Sequence, residues 1–371
     1  MIHFCFITGL YSRTDPLIVE RQGKSLVEKG FRVSYIVCDL MENETVYGIN
    51  IISTGYKPKS RIDRFLHSKK RLLKYALAID ADIYQISDPE HISLVVPLKK
   101  RGKKVIFNLR EFYPDMIKLK PYMPWIFRTI AGDLYGMLMK YYFKKYDAII
   151  TPDHVDVQIL IEKYKIPQSY FVANFPRIKY TASFSYDDYV SRGNVLCYEG
   201  TIYESSRQEN VFKALECLPN VKYILAGKID EQYDWIKSLP YWEKVEFIDG
   251  FTLDELSVIF SRSSMGNVFR NFISKQGSYG IMKIFETMGA GIPVLLADLP
   301  LYREIVNKYH CGLCVDPNEV ESIRAAIKYL IENPKEAYEM GQNGRRAVLS
   351  EFNWEHEADK YILIINNILN N

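Results

Sequence analysis

The chain has 371 residues, 48% of them hydrophobic, which is enough to bury a sizeable core and is more comfortable as two domains than as one. A chain dominated by disorder is excluded, and so are solenoid and fibrous classes, because no segment repeats at a fixed period and none is of low complexity. The net charge of +3 conceals an asymmetry: residues 1–180 hold 29 Lys and Arg against 18 Asp and Glu, net +11, while the remainder holds 19 against 27, net −8.

The first residues, Met1-Ile2-His3-Phe4, lack the basic region, apolar run and small-residue cleavage site of a secretion signal. Ile2–Thr8 reads as a buried strand, and Asp15-Pro16 reads as the N-cap and first position of a helix closed by Gly30. Phe31–Cys38 is the next strand. Between Lys57 and Lys74, eight basic residues meet one acid, Asp63, which fits either a solvated helix face or a surface for anionic lipid or a phosphate-bearing acceptor. Asp80-Ala81-Asp82 has the look of a metal-binding D-x-D, but it precedes the strand Ile83–Ser87 instead of following it, so a turn into the strand is expected. Asp88-Pro89 caps a helix, Lys104–Asn108 is a strand, a long helical stretch runs on to Tyr146, and Ala148–Thr151 is a short strand. Tyr113, Tyr122, Trp125 and Phe127 are expected mainly in the core, with an acceptor platform as the alternative.

Residues 177–193 mix Pro-flanked, Ser, Asp and Gly positions without a period and are read as a linker. A second alternation follows: strands Val195–Glu199, Lys222–Ala226, Val245–Ile248 and Pro293–Ala297, with helices Gln208–Leu218, Leu253–Ser261 and Ile281–Ala290. The expected architecture is therefore α/β, with two doubly wound Rossmann-like domains across a cleft: 1–176, then 194–352, then a closing segment 353–371. The six cysteines lie mostly in apolar runs and fit core thiols in a reducing cytoplasm. Cys311 and Cys314 lack the second pair that a zinc site needs, and no first strand ends in the G-x-G-x-x-G of a nicotinamide oxidoreductase.

In such sheets ligands bind beyond the carboxyl ends of the strands. The strongest local signal there is Gly277-Ser278-Tyr279-Gly280-Ile281-Met282-Lys283-Ile284-Phe285-Glu286, glycines leading into a helix whose first-turn amides point at whatever sits before them. A cation in that turn opposes the helix dipole, so Lys283 is unfavourable unless an anion is placed beside it. The same conflict arises at Glu199-Gly200-Thr201 to Glu209, where Ser206 and Glu209 have capping-box spacing and put Arg207 at the first helical position. Two such cations converging on one diphosphate would replace a metal ion.

Lys283-Ile284-Phe285-Glu286-Thr287-Met288-Gly289-Ala290-Gly291-Ile292-Pro293-Val294 resembles the signature of glycosyltransferase family 4, and Gly200 to Arg207, Gly312 to Pro317 and Phe352-Asn353-Trp354-Glu355 are similar to that family as well. In the first half, Asp88-Pro89-Glu90, Asn108 to Pro114 and Val172 to Pro176 also fit. The resemblance implies a GT-B fold and a retaining, metal-independent sugar transfer from a nucleotide-diphosphate sugar to a glycan or lipid-linked acceptor. It implies that Lys283 and Arg207 hold the diphosphate, that Glu286 accepts from the donor ribose, and that Gly9 keeps the first loop open. Gly200, Thr201, Ser278, Tyr279, Gly280 and Ile281 complete the expected donor site. Two departures stand out: Ser278 where the family usually has Glu, and Arg110 where it usually has His. Arg110 then either grips phosphate or an acidic sugar or marks lost activity, and Glu111 is the first candidate for acceptor activation. A non-catalytic binding partner and a sugar-nucleotide epimerase of the same fold are the rival readings. No cofactor and no nucleic-acid partner are expected; the expected location is the cytoplasm, with the inner membrane face as a peripheral site.

Overall fold

The computed structural model describes all residues except 121–122, 182, 270–281 and 371. The chain divides into two compact units, one of Met1–Asn174 with Glu357–Asn371, the other of Phe175–His356.

The first unit is built on β1 (His3–Thr8), β2 (Arg32–Val37), β3 (Glu44–Val46), β4 (Ile49–Ser53), β5 (Ile83–Ile86), β6 (Lys104–Asn108), β7 (Ala148–Thr151) and β8 (Ser169–Phe171), in the spatial order β3-β4-β2-β1-β5-β6-β7-β8. All pairings are parallel except β3 with β4, a hairpin turned by Tyr47 and Gly48, both at positive φ. The strands are near-continuous apolar runs because helices cover both faces. Tyr84, Phe107, Phe143 and Tyr146 fill the core on one side. The closing helix packs into this unit as well: Glu357 Oε2 accepts from the Ala173 amide at 2.8 Å, and Tyr361 donates to Gln85 Oε1 at 2.6 Å.

The second unit carries β9 (Val195–Glu199), β10 (Lys222–Ala226), β11 (Val245–Ile248), β12 (Met265–Val268), β13 (Val294–Ala297) and β14 (Gly312–Val315), all parallel, in the order β11-β10-β9-β12-β13-β14. In both sheets the first strand lies inside, between the strand that follows it and a later one, so the strand order reverses at β1 and at β9. Loops leaving the carboxyl ends of these strands diverge to opposite sides and open a crevice there. The helix Met282–Gly289 follows β12 and lies close to it, since a Cβ on Gly266 would come within 2.6 Å of Thr287 Cγ2.

Three local expectations are corrected. The stretch expected to be one long helix up to Tyr146 is two helices, Tyr113–Lys118 and Trp125–Phe143, with Pro124 at the boundary of the second. Trp125 and Phe127, expected mainly in the core, are exposed, because the buried face of their helix is formed by Gly132, Gly136, Met139 and Phe143. Asp88 stands at the N-cap position of a short helix, but its side chain does not cap it; the carboxylate is committed to β1 instead. The D-x-D residues do serve the entry into β5: Asp82 accepts from the His3 amide at 2.8 Å, and Asp80 ends the preceding helix in a left-handed conformation.

The register of β13 with β14 depends on Gly312, where a Cβ would sit 1.9 Å from the Val294 carbonyl oxygen. Gly312→Ala is expected to lower the unfolding free energy by about 2 kcal/mol or more. Urea titration checks this, and an unchanged midpoint contradicts it.

Candidate functional site

In the second unit the site grows from the end of β9. Gly200 follows the strand at φ 106°, a conformation that favours glycine, and Gly227 beside it stands at φ 133°. The space that a side chain on Gly200 would fill is occupied by Lys283: a Cβ there would lie 2.2 Å from Nζ and 2.3 Å from Cε. Lys283 Nζ thus rests against the strand-end backbone, donating to the Tyr198 hydroxyl at 3.2 Å. It forms no ion pair with a described residue.

Two carboxylates flank this cation. Glu199, the last residue of β9, is buried, and its Oε1 has no hydrogen-bond partner among the described residues. Burial, and then the charge of Glu286, push the Glu199 carboxyl well above the usual carboxylate range, against the opposite pull of Lys283. Glu286, one helical turn after Lys283, also lines a recess of about 20 Å³ with Tyr180, Leu253, Leu256 and Phe260. That is room for a water, not for a nucleoside. Glu199 was not among the expected site residues; a carboxylate closing an otherwise apolar strand was the available signal.

Arg207 is not at the first helical position. It occupies the N-cap of the helix Gln208–Glu216 in a left-handed conformation, φ 49° and ψ 37°. The expected capping box fails because both of its members have other partners. Ser206 Oγ donates to the Tyr203 carbonyl, and Glu209 accepts from the Tyr233 hydroxyl. The Arg207 guanidinium donates to Asn318 Oδ1 at 3.1 Å and lies within 4 Å of Glu204 and Glu209. Asn210 donates to the Pro317 carbonyl at 3.0 Å, so the Asp316-Pro317 stretch serves to hold this corner. Gly200, Lys283, Glu199 and Glu286 therefore lie together, and Arg207 is held by Asn318, Glu204 and Glu209. Ser278, Tyr279, Gly280 and Ile281 lie outside the described residues.

In the first unit, Gly9 follows β1 as expected, and a Cβ there would meet His91 Nε2 at 3.2 Å and Ser68 Cβ at 3.3 Å. Fully buried Asp88 clamps this loop, accepting from Thr8 Oγ1 and from the Gly9 amide, each at 2.5 Å. Burial raises the Asp88 carboxyl and lowers the neighbouring His91. Arg110 does not present a free guanidinium for phosphate: both terminal nitrogens donate to Asp15 at 2.8 Å, and the group stacks 3.6 Å over the Tyr11 ring. A bidentate pair of this kind neutralises the charge locally and fixes the loop. Glu111, next to it, is exposed.

Residues 189–347 match the family model described as Glycosyl transferases group 1. A curated relative, the MMP alpha-(1->4)-mannosyltransferase of Mycolicibacterium hassiacum, is 28% identical over 80 residues, which span 21% of this chain and only 20% of that protein. Among solved structures, sucrose-phosphate synthase of Thermosynechococcus elongatus is similar with a TM-score of 0.79 at 16% identity, over 100% of this chain and 99% of that one. Anabaena HepE, solved with UDP and glucose, is similar with a TM-score of 0.72 at 12% identity, over 99% of this chain and 100% of that one.

The raised Glu199 carboxyl has a consequence for stability. An acid that is harder to ionise when folded binds more protons in the folded state, so it costs stability as the pH rises above the ordinary glutamate range. Glu199→Gln is expected to flatten the loss of stability on going from mildly acidic to mildly alkaline pH, measured by thermal melting across that range. Parallel profiles for parent and variant contradict it. Taken together, the sheet order and the structural likenesses show a chain of GT-B fold, whose second unit contains the stretch, residues 189–347, that matches the glycosyl transferases group 1 model.

Proposed function

We propose that the chain is a glycosyltransferase that moves a sugar from a nucleotide-diphosphate donor to a glycan or lipid-linked acceptor, with retention at the sugar carbon and without a metal ion. The observation that carries this reading is the Lys283 ammonium lying against Gly200 at the sheet's switch point, unpaired with any described carboxylate. A cation at a helix start beside a glycine at a strand end is suited to an anionic ligand, and a diphosphate is the anion that group 1 chemistry supplies. The UDP held by Anabaena HepE supports the donor class.

In this reading Lys283 and Arg207 hold the diphosphate, the Gly200 and Thr201 backbone lies beside it, and Glu286 accepts from the ribose. Ser278, Tyr279, Gly280 and Ile281 belong to the same donor loop. The bond from the sugar carbon to the diphosphate oxygen breaks while the acceptor oxygen bonds the same face, and the acceptor proton passes to the leaving phosphate oxygen. Negative charge builds on the diphosphate during this step, so a fixed ammonium stabilises the transition state more than the ground state. Glu111, exposed in a loop after β6, orients or activates the acceptor. Arg110, committed to Asp15, shapes the loop around Tyr11 and Glu111.

A second reading, a sugar-nucleotide-binding partner that turns nothing over, is favoured by that same commitment of Arg110, which leaves its charge unavailable to substrate. Calorimetry with UDP, GDP, dTDP and CMP distinguishes the nucleotide. Lys283→Ala is expected to weaken the preferred diphosphate by roughly ten- to a hundredfold, the worth of a charge-assisted hydrogen bond. Unchanged affinity removes the donor role of Lys283. Slow release of nucleoside diphosphate from its sugar nucleotide in the parent, abolished in Lys283→Ala, argues for turnover; its absence argues for the binding partner.

A further inference from the structure

The first unit exposes a long apolar face that donor chemistry does not use. On the helix Trp125–Phe143, Trp125, Ile126, Ile130, Leu134, Met137 and Tyr141 all point outward, with Trp125 69% and Met137 62% exposed. From Ile126 onward their spacing of three or four residues makes one stripe along the helix. The helix cannot roll to bury that stripe, because its inner face is fixed by close approaches at two glycines. A Cβ on Gly132 would lie 2.7 Å from the Pro114 carbonyl oxygen, and one on Gly136 would lie 2.8 Å from the Tyr164 hydroxyl.

A second apolar group is carried by a segment held to the same short helix as this one. The segment after Ser60 exposes Ile62, Phe65 and Leu66. Both segments are fastened to the short helix Pro89–Leu94: Tyr135 donates to the Pro89 carbonyl at 3.0 Å, and Arg64 pairs with Glu90 at 2.7 Å.

The charges around these groups are not balanced. The acids nearby are already satisfied, Glu90 by Arg61 and Arg64, Asp63 by Tyr56 and His67, and Asp133 by Lys118. By contrast Lys57, Lys59, Lys70 and Lys74 are exposed, and their ammonium groups pair with no described acid. An exposed apolar stripe flanked by unpaired lysines is complementary to a surface with an apolar interior and an anionic skin. No helix among the described residues is long and apolar enough to cross a membrane, so the stripe is suited to lying in the interfacial layer instead.

We propose that the helix Trp125–Phe143 and the segment 57–74 together form a docking surface for an anionic lipid bilayer, the apolar stripe entering the headgroup region and the free lysines meeting the lipid phosphates. This surface stands on exposure and charge alone, so it holds or falls independently of the donor site.

The test uses the intact protein with vesicles of phosphatidylcholine alone and of phosphatidylcholine mixed with phosphatidylglycerol. Co-sedimentation is expected to show binding stronger by roughly tenfold or more on the anionic vesicles, since each lysine near such a surface is worth roughly a factor of five. Tryptophan emission is expected to shift to the blue on binding, and Trp125→Phe to lose that shift. Lys70→Glu/Lys74→Glu and Ile130→Ser/Met137→Ser are each expected to cut binding roughly tenfold with unchanged melting temperatures, their sites being exposed. Equal binding to both vesicle types, no binding to either, or variants that bind like the parent overturn the proposal. So does a dimer in ultracentrifugation that Ile130→Ser/Met137→Ser dissolves while vesicle binding is absent, because the stripe then pairs two copies of the chain.

Discussion

The close approach of Lys283 to the backbone at Gly200 is the constraint on which the second unit's chemistry depends. It requires glycine twice. Gly200 must lack a Cβ because the lysine's Cε and Nζ fill that space, and a Cβ on Gly227 would come 1.9 Å from the Gly200 carbonyl oxygen. Gly266 then lets the helix bearing Lys283 settle against β12, so that strand, loop and helix meet at one point. The parallel sheet supplies the reason for that point: β9 is where the strand order reverses, and the loops on its two sides part there.

The two units treat the corresponding point differently. In the first, a buried carboxylate, Asp88, is consumed structurally, tying the start of the loop after β1 through Thr8 and the Gly9 amide. In the second, the buried carboxylate at the end of β9, Glu199, keeps an oxygen without a partner among the described residues and lies near a cation that forms no ion pair with any of them. An unsatisfied buried carboxylate is costly to leave in place, and such cost tends to collect where a ligand completes the arrangement. The contrast also separates the cations. Arg110 is spent on Asp15, and Arg207 is oriented by Asn318 and two glutamates, whereas among the described residues Lys283 meets a tyrosine hydroxyl and ring.

The parallel sheets were legible in the sequence because buried strands such as Val195–Glu199 are short apolar runs closed by turn residues, and because the capped helices between them alternate regularly. The β3–β4 hairpin was not, since its turn is Tyr47-Gly48 and not one of the usual Asn-Gly or Asp-Gly pairs. Lys283 was legible because a cation in the first turn of a helix is out of place without an anion, and Gly200 because it follows a strand where a ligand is expected; that the two touch was not. The position of Arg207 was not, because the capping-box spacing of Ser206 and Glu209 is a local signal and Tyr233, a distant residue, overrides it. The outward face of Trp125–Phe143 was illegible for a related reason: an apolar stripe has the same period whether it faces a core or a solvent, and only the glycines on the opposite face, pressed on Pro114 and Tyr164, decide which.

A crystal structure of the protein with a bound nucleoside diphosphate tests whether Lys283 and Gly200 form the donor site. The diphosphate is expected within hydrogen-bond distance of Lys283 Nζ, beside the Gly200 backbone, with the ribose on Glu286. A diphosphate bound elsewhere, with Lys283 still resting on Tyr198, would contradict it.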